Sequence, residues 1–289
     1  MELLFKQFFN YRAAMGISKG TMTRTRSCVG VFQMWLESNG VISREQVTEA
    51  LITEYVAHLY SRRSLQAGKT NLLAKSTIRK HVDFLIIFSR FIALEIPNLH
   101  RPKVPFRDFP SLDQRQIDVL LALTDQIIVR HKRRLYRALF TLLLDTGLRI
   151  SEALSLRFVD VNFYLRQITI IGKGDKQRIV PFSKTTLSAL RDLNESEYVF
   201  IGRDGHLTDS TVRSTLTKIR DAAPEMFKNV RLSPHTLRHT FARHWLLKGG
   251  DIYSLMRILG HSNIQMTARY LFMDVGDMSH KHSMHSIFS

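Results

Sequence analysis

Residues 131–182, HKRRLYRALFTLLLDTGLRISEALSLRFVDVNFYLRQITIIGKGDKQRIVPF, change their periodicity partway along. The first part is apolar at helical spacing and stops at Gly147, a residue suited to the left-handed turn that closes a helix. The last part holds two β-prone runs, Gln167–Ile171 and Gln177–Phe182, around a Gly-Lys-Gly-Asp turn, which reads as a hairpin. A helical unit carrying a small antiparallel sheet is the expectation, in a protein that is mainly α.

Outward from this stretch the signals are helical. Downstream, helices are expected over Lys184–Leu193, Asp209–Ala222, Pro234–Leu247, Ile252–Leu259 and Asn263–Met273. Upstream, Ser111 with Gln114 resembles a capping box leading into QIDVLLAL. Four of the seven prolines, Pro97, Pro102, Pro105 and Pro110, crowd the segment before it and read as a linker. Before the linker, helices are expected over Met1–Met15, over Gly20–Ser38 closed by Asn39 and Gly40, from a Ser43/Gln46 capping box to about Arg62, and from Ser76 to about Glu95. The chain thus divides into a helical unit, 1–97, a linker, 98–110, and a mixed α/β unit, 111–289.

The 42 Lys and Arg against 25 Asp and Glu leave a net charge of +17, shared between both halves. Such an excess draws polyanions, nucleic acid first among them. The start MELLFKQFFNYR lacks the layout of a signal peptide, and no apolar run approaches the roughly 18–20 residues of a membrane span. A soluble, cytoplasmic protein without membrane partners is expected. One cysteine, Cys28, excludes an internal disulfide and reads as an ordinary helix residue. The histidines lack paired cysteines or an HExxH, so no metal ligand set is expected; the tail SHKHSMHS reads as solvated.

Four short motifs carry chemistry. TGLRISEAL puts Arg149 just after the helix-ending glycine and close to a helix start, with Glu152 one turn on; a guanidinium held there suits a bidentate grip on phosphate. SPHTLRHTFARHW starts a helix with Ser233 as N-cap and Pro234 in the first turn, so His235 and Arg238 share a face where an anion is favoured. Arg243 and His244 of the same helix read as a solvated basic face. GKGDKQRIVP sets Lys173 at a hairpin tip, able to neutralise charge or give a proton in a nucleic-acid groove.

LGHSNIQMTARYLF ends one helix at Gly260, places His261 in the turn and Tyr270 on the next helix. On a wheel, Ile264, Ala268 and Leu271 form a core stripe and Tyr270 stands roughly 100° away. Each motif alone also fits a solvated surface or, for Tyr270, a packing role.

Taken in order, with 24 residues from Arg149 to Lys173, three from His235 to Arg238 and nine from His261 to Tyr270, the motifs resemble the tyrosine recombinases, or phage integrase family, and most closely its Xer-like two-domain members. The resemblance is strong from residue 111 to Tyr270 and weaker before the linker. It implies a helical core-binding domain and a catalytic domain closing as a C-shaped clamp on duplex DNA. It also implies a catalytic set of Arg149, Lys173, His235, Arg238, His261 and the nucleophile Tyr270, with Glu152 in support.

A free tyrosine ionises near pH 10, so about one in a thousand is phenolate at pH 7, a handicap of roughly 4 kcal/mol. The resemblance implies that Tyr270 attacks a DNA phosphodiester to give a 3′-phosphotyrosyl link and a 5′-hydroxyl, with no metal, cofactor or ATP. Arg149 and Arg238 would grip the nonbridging oxygens, Lys173 would protonate the leaving oxygen, His235 would take the proton of Tyr270, and His261 would bond the phosphate. It further implies a homotetramer on two recombination sites, with accessory proteins or accessory DNA as possible regulators and the tail residues Ile287 and Phe288 able to dock on a neighbour. A type IB topoisomerase, relaxing any supercoiled plasmid, and a catalytically silent DNA-binding regulator are the competing classes.

Overall fold

The computed structural model describes residues 1–62, 72–104, 109–172, 177–202, 205–271 and, near the end, 279, 282, 283 and 286. Two compact units emerge, Met1–Phe106 and Arg107–Ser289.

The first unit is built from α1 (Glu2–Ala14), α2 (Lys19–Ser38), α3 (Glu49–Ser61) and α4 (Lys75–Phe91). Apolar residues of α4 recur at helical spacing, Ile78, Val82, Leu85 and Phe88, and are buried. They meet a cluster of rings: Phe8 packs edge-on against Phe88 at 5.3 Å, and Phe32 lies 4.7 Å from Tyr55. Inside this core the Tyr55 hydroxyl is 3.0 Å from His81 Nδ1. Cys28 is a buried residue of α2, as its helical setting implied.

Ser43 and Gln46 do not start a helix. The Gln46 side chain accepts from the backbone amides of Ile42 and Ser43, as in a capping box, yet this closes only a turn. The helix begins at Glu49, where the Thr48 side chain accepts from the Leu51 amide.

The second unit contains α5 (Gln114–Asp125), α6 (Arg130–Thr146), α7 (Ile150–Leu154), β1 (Val161–Asn162), β2 (Gln167–Ile171), β3 (Gln177–Pro181), α8 (Lys184–Arg191), β4 (Ile201–Gly202), β5 (Gly205–His206), α9 (Asp209–Ala222), α10 (Pro224–Phe227), α11 (Pro234–Leu247), α12 (Ile252–Leu259) and α13 (Ile264–Ala268), with a 3₁₀ turn over Arg269–Leu271. The strands β1-β2-β3 form an antiparallel sheet in that order, with Gln167 opposite Pro181 and Ile171 opposite Gln177. Ile168, Ile170 and Val180 point into the core, while Ile171 and Ile179 face outward, as the two-residue period requires. The short strands β1, β4 and β5 and the single turn α10 carry too few residues for a periodic signal.

The capping box before α5 is two residues later than Ser111 and Gln114: Asp113 accepts from the Gln116 amide and the Gln116 side chain accepts from the Asp113 amide. Ser111 instead receives Arg243 at 3.0 Å, and Leu112 gives its amide to Thr240 and takes His244 on its carbonyl. Arg243 and His244 are therefore anchors for the entering chain rather than a solvated face.

Helix α6 is the axis of the unit. From Leu135 to Leu143 it is buried nearly all round, packed against α5, α8 and α11. It ends at Gly147, whose φ of 61° lies in the left-handed region. A β-carbon there would collide with the Phe241 ring of α11, so glycine also permits the close packing of these two helices. No helix among the described residues is long and apolar enough to cross a membrane.

Candidate active site

Two left-handed glycines, Gly147 after α6 and Gly260 after α12, end their helices beside α11. A helix end leaves carbonyls without partners and carries partial negative charge. Arg238, on α11, meets both ends: Nη1 donates to the Gly147 carbonyl at 2.7 Å and Nη2 to the Leu259 carbonyl at 2.8 Å. Arg238 is only 5% exposed, and a charge buried in this way needs such compensation. Burial and the neighbouring Arg149 lower its pKa to about 10, so it stays charged near neutrality.

Arg149 caps α7. Its backbone amide donates to Glu152 Oε2 and its Nη1 to Oε1, both at 2.8 Å, and Nη2 reaches the Gly260 carbonyl at 3.4 Å. Its side chain keeps 38% exposure, so the guanidinium can still meet an incoming anion. Glu152 is shared. Arg178 of β3 donates Nη1 and Nη2 to the same carboxylate at 3.1 and 2.8 Å, and its Nε to the Ile258 carbonyl at 2.9 Å. Burial works to raise the Glu152 pKa, but the two guanidiniums and the Arg149 amide together outweigh it and hold the pKa below the usual value. One carboxylate thus ties the hairpin, the start of α7 and the end of α12 into one body.

His261 follows Gly260 and is held on both sides. Its Nε2 lies 2.9 Å from Arg238 Nη2 and its Nδ1 2.8 Å from Thr267 Oγ1. Arginine can only donate, so Nε2 accepts, and Nδ1 carries the proton given to Thr267. This neutral form agrees with a pKa lowered to about 4 by burial and by Arg238, Arg149 and Arg178.

Tyr270 is buried, 8% exposed, whereas Leu271, expected in the core stripe, is 49% exposed. The wheel fails because α13 ends at Ala268 and Tyr270 lies in the 3₁₀ turn, which advances about 120° per residue instead of 100°. The Tyr270 ring lies parallel to His261 at 6.5 Å, and its hydroxyl is 2.8 Å from His239 Nδ1. Burial raises its pKa, opposed by charge and a hydrogen bond from Arg238 and by charge from Arg149 and Arg269.

His235 is on the first turn of α11 as expected, capped by Ser233, but it is an exposed residue whose ring centre is 6.4 Å from that of His239. Burial of its ring and the nearby Arg213 lower its pKa. Arg149, Arg238, His261, Tyr270 and Glu152 converge, and His235 stands at the edge of the cluster. Lys173 lies outside the described residues.

Three participants escaped the sequence reading. Arg178 shares the inward face of β3 with Val180, and an arginine on a buried face was a usable signal. His239 is one turn from His235 on the same helix, but its pairing depends on where the turn after α13 folds. Phe109, in the proline-rich segment, stacks on His239 at 4.4 Å and lies 5.6 Å from Tyr270.

Guanidiniums gathered around a buried phenol suit a reaction in which oxygen attacks an anionic ester. The Phage integrase family profile matches residues 110–275. A tyrosine recombinase XerC of Oceanobacillus iheyensis is 29% identical, with 93% of this chain and 91% of that protein covered. A tyrosine recombinase XerD of Corynebacterium glutamicum is 31% identical, with 88% of each covered. Among solved structures, a λ integrase (residues 75–356) dimer bound to a COC′ core site matches with a TM-score of 0.72 at 17% identity, covering 93% of this chain and 94% of that one. The XerH recombinase in a post-cleavage complex with palindromic difH matches with a TM-score of 0.71 at 19% identity, covering 93% and 80%. The chain belongs to the phage integrase family. It is by class a tyrosine recombinase, an enzyme of DNA strand breakage and rejoining.

Proposed function

We propose that this recombinase cuts and rejoins duplex DNA at a specific site through Tyr270. The observation that carries the reading is the placement of the Tyr270 hydroxyl in one cluster with the buried Arg238, the half-open Arg149 and His261. A phosphodiester drawn to Arg149 and Arg238 would present its phosphorus to the phenol. Preorganised cations of this kind stabilise the charge that develops in the transition state, each contributing about two to three orders of magnitude in rate. The product is a 3′-phosphotyrosyl link with a free 5′-hydroxyl, and the energy held in that link allows rejoining without ATP. Lys173, which follows β2 in the sequence, protonates the leaving 5′-oxygen. His235, at the rim, contacts the phosphate or a flanking one.

The +17 net charge makes the affinity strongly salt-dependent, since each neutralised phosphate releases counterions. The helical unit and the catalytic unit both bind the duplex, and a homotetramer brings two recombination sites together. The tail residues Ile287 and Phe288 fall outside the described residues; their docking on a neighbouring subunit belongs to the same proposal, as do accessory proteins or DNA sites. Incubation with sheared chromosomal DNA from the encoding organism, denaturation, and sequencing of protein-linked ends should show adducts concentrated at one short sequence. Tyr270→Phe should abolish them while DNA binding stays within about threefold. Adducts that persist in Tyr270→Phe would remove Tyr270 from its role, and adducts scattered without sequence preference would point to topoisomerase chemistry instead.

A further inference from the structure

We infer that His239 is the catalytic base that takes the Tyr270 proton during attack, a conclusion that rests on Tyr270 being the nucleophile. The hydroxyl has one proton to lose, and the partner must offer a lone pair at bonding distance. Around it stand Arg238, Arg149 and Arg269, which are donors only, and His261, whose two ring nitrogens are taken by Arg238 and Thr267. Among the described residues, His239 Nδ1, at 2.8 Å, is the atom at the hydroxyl with a lone pair to give.

The fold holds that pair in place. His239 sits in the middle of α11, one residue past the buried Arg238, so its backbone is fixed by the anchor that binds both helix ends. Phe109 stacks on one side of its ring at an interplanar angle of 25°, which limits rotation away from Tyr270. With Nδ1 accepting, the ring proton is on Nε2. Burial, then His235 and Arg238, lower the pKa of the ring to about 4, so the lone pair is present throughout the neutral range. A phosphodiester bound to Arg149 and Arg238 brings negative charge that offsets these cations and raises the proton affinity of the ring when it is needed.

The step balances. The Tyr270 Oη–H bond breaks toward His239 Nδ1 as the Oη–phosphorus bond forms, and the phosphorus–O5′ bond breaks with its electron pair on O5′, which takes the proton assigned to Lys173. In ligation the 5′-hydroxyl attacks phosphorus and returns its proton to Lys173, the Oη–phosphorus bond breaks, and the leaving phenolate takes back its proton from the His239 imidazolium.

Single-turnover cleavage of a nicked duplex bearing the mapped adduct sequence tests this, with wild type, His239→Ala, His239→Asn and His235→Ala. Asparagine puts a hydrogen-bonding atom near the place of Nδ1 without its proton affinity. His239→Ala and His239→Asn should both fall about 100-fold or more, the usual range for a lost general base. Added imidazole should restore at least tenfold to His239→Ala and leave His235→Ala unchanged. His239→Asn cleaving within threefold of wild type would reduce His239 to a support for the ring and overturn its role as base. So would imidazole rescue of His235→Ala without rescue of His239→Ala. Circular dichroism and duplex binding by the Asn variant report whether the fold is kept. A wild-type protein that forms no Tyr270-dependent adduct would instead remove the reading on which this one stands.

Discussion

Each unit buries one tyrosine against a histidine nitrogen, Tyr55 on His81 at 3.0 Å in the first and Tyr270 on His239 at 2.8 Å in the second. In both pairs burial raises the phenol, and both histidines are lowered to about 4 with burial as the largest cause. The bond and the burial are alike; the surroundings differ. Tyr55 is packed among Phe32, Trp35 and His81, with Arg62 as the cation that opposes its shift. Tyr270 has Arg238, Arg149 and Arg269 working against its burial. A tyrosine–histidine pair is thus a packing device in one place and reactive machinery in the other, and the arginines make the difference.

The largest effect expected from breaking that difference is on Arg238. Arg238→Ala should slow cleavage by about two to three orders of magnitude, measured as adduct formed per folded, DNA-bound molecule. Arg62→Ala, which removes the matching cation beside Tyr55, should leave the rate unchanged. Equal rates for Arg238→Ala and wild type would mean that the arginines are not what separates the two tyrosines.

The second comparison is in acid. A histidine whose folded pKa is depressed stays neutral in the fold while the unfolded chain takes up a proton, so its contribution is complete above about pH 6.5 and fades as pH falls toward 4. His81 should cost the first unit a few kcal/mol across that window. In a Trp245→Phe background, Trp35, 5.2 Å from Tyr55, reports unfolding of this unit. The urea midpoint should drop between pH 7 and pH 5, and the Tyr55→Phe/His81→Leu double variant should flatten that drop while leaving the cleavage rate alone. An unchanged slope in the double variant would assign the acid sensitivity elsewhere.

The smallest effect is expected at Gly260. Its φ of 64° and a β-carbon position 2.9 Å from Arg178 Nη1 make alanine strained there, by about 1–2 kcal/mol for the backbone alone. Gly260→Ala should lower the melting temperature by several degrees and weaken cleavage modestly by displacing Arg178 from Glu152. A variant as stable and active as wild type would show that the turn absorbs the methyl.

Most of the helical frame could be read from the chain. The bounds of α9, α11 and α12 follow from their caps and periodicity, and the hairpin follows from its turn. The order and spacing of Arg149, His235, Arg238, His261 and Tyr270 were enough to suggest a common site. What could not be read depends on contacts between distant segments. Gln46 makes half a capping box where no helix starts, because Thr48 caps a better register. Tyr270 leaves the expected face because α13 is only five residues long, so a helical wheel over Asn263–Met273 describes a helix that the fold does not make. Arg178 and His239 gain their roles only when β3, α7, α12 and the last turn meet.

Phe109 bears on how the molecule can be divided. The family signature starts at residue 110 and the first capping motif of the second unit a few residues later, so a fragment cut there would look complete. It would lack the ring that covers His239 and lies beside Tyr270. Limited proteolysis just before or just after Phe109 would separate two catalytic fragments that differ by one aromatic wall. The proline-rich segment therefore ends as part of the reaction chamber, and the residue at position 109 is under chemical constraint.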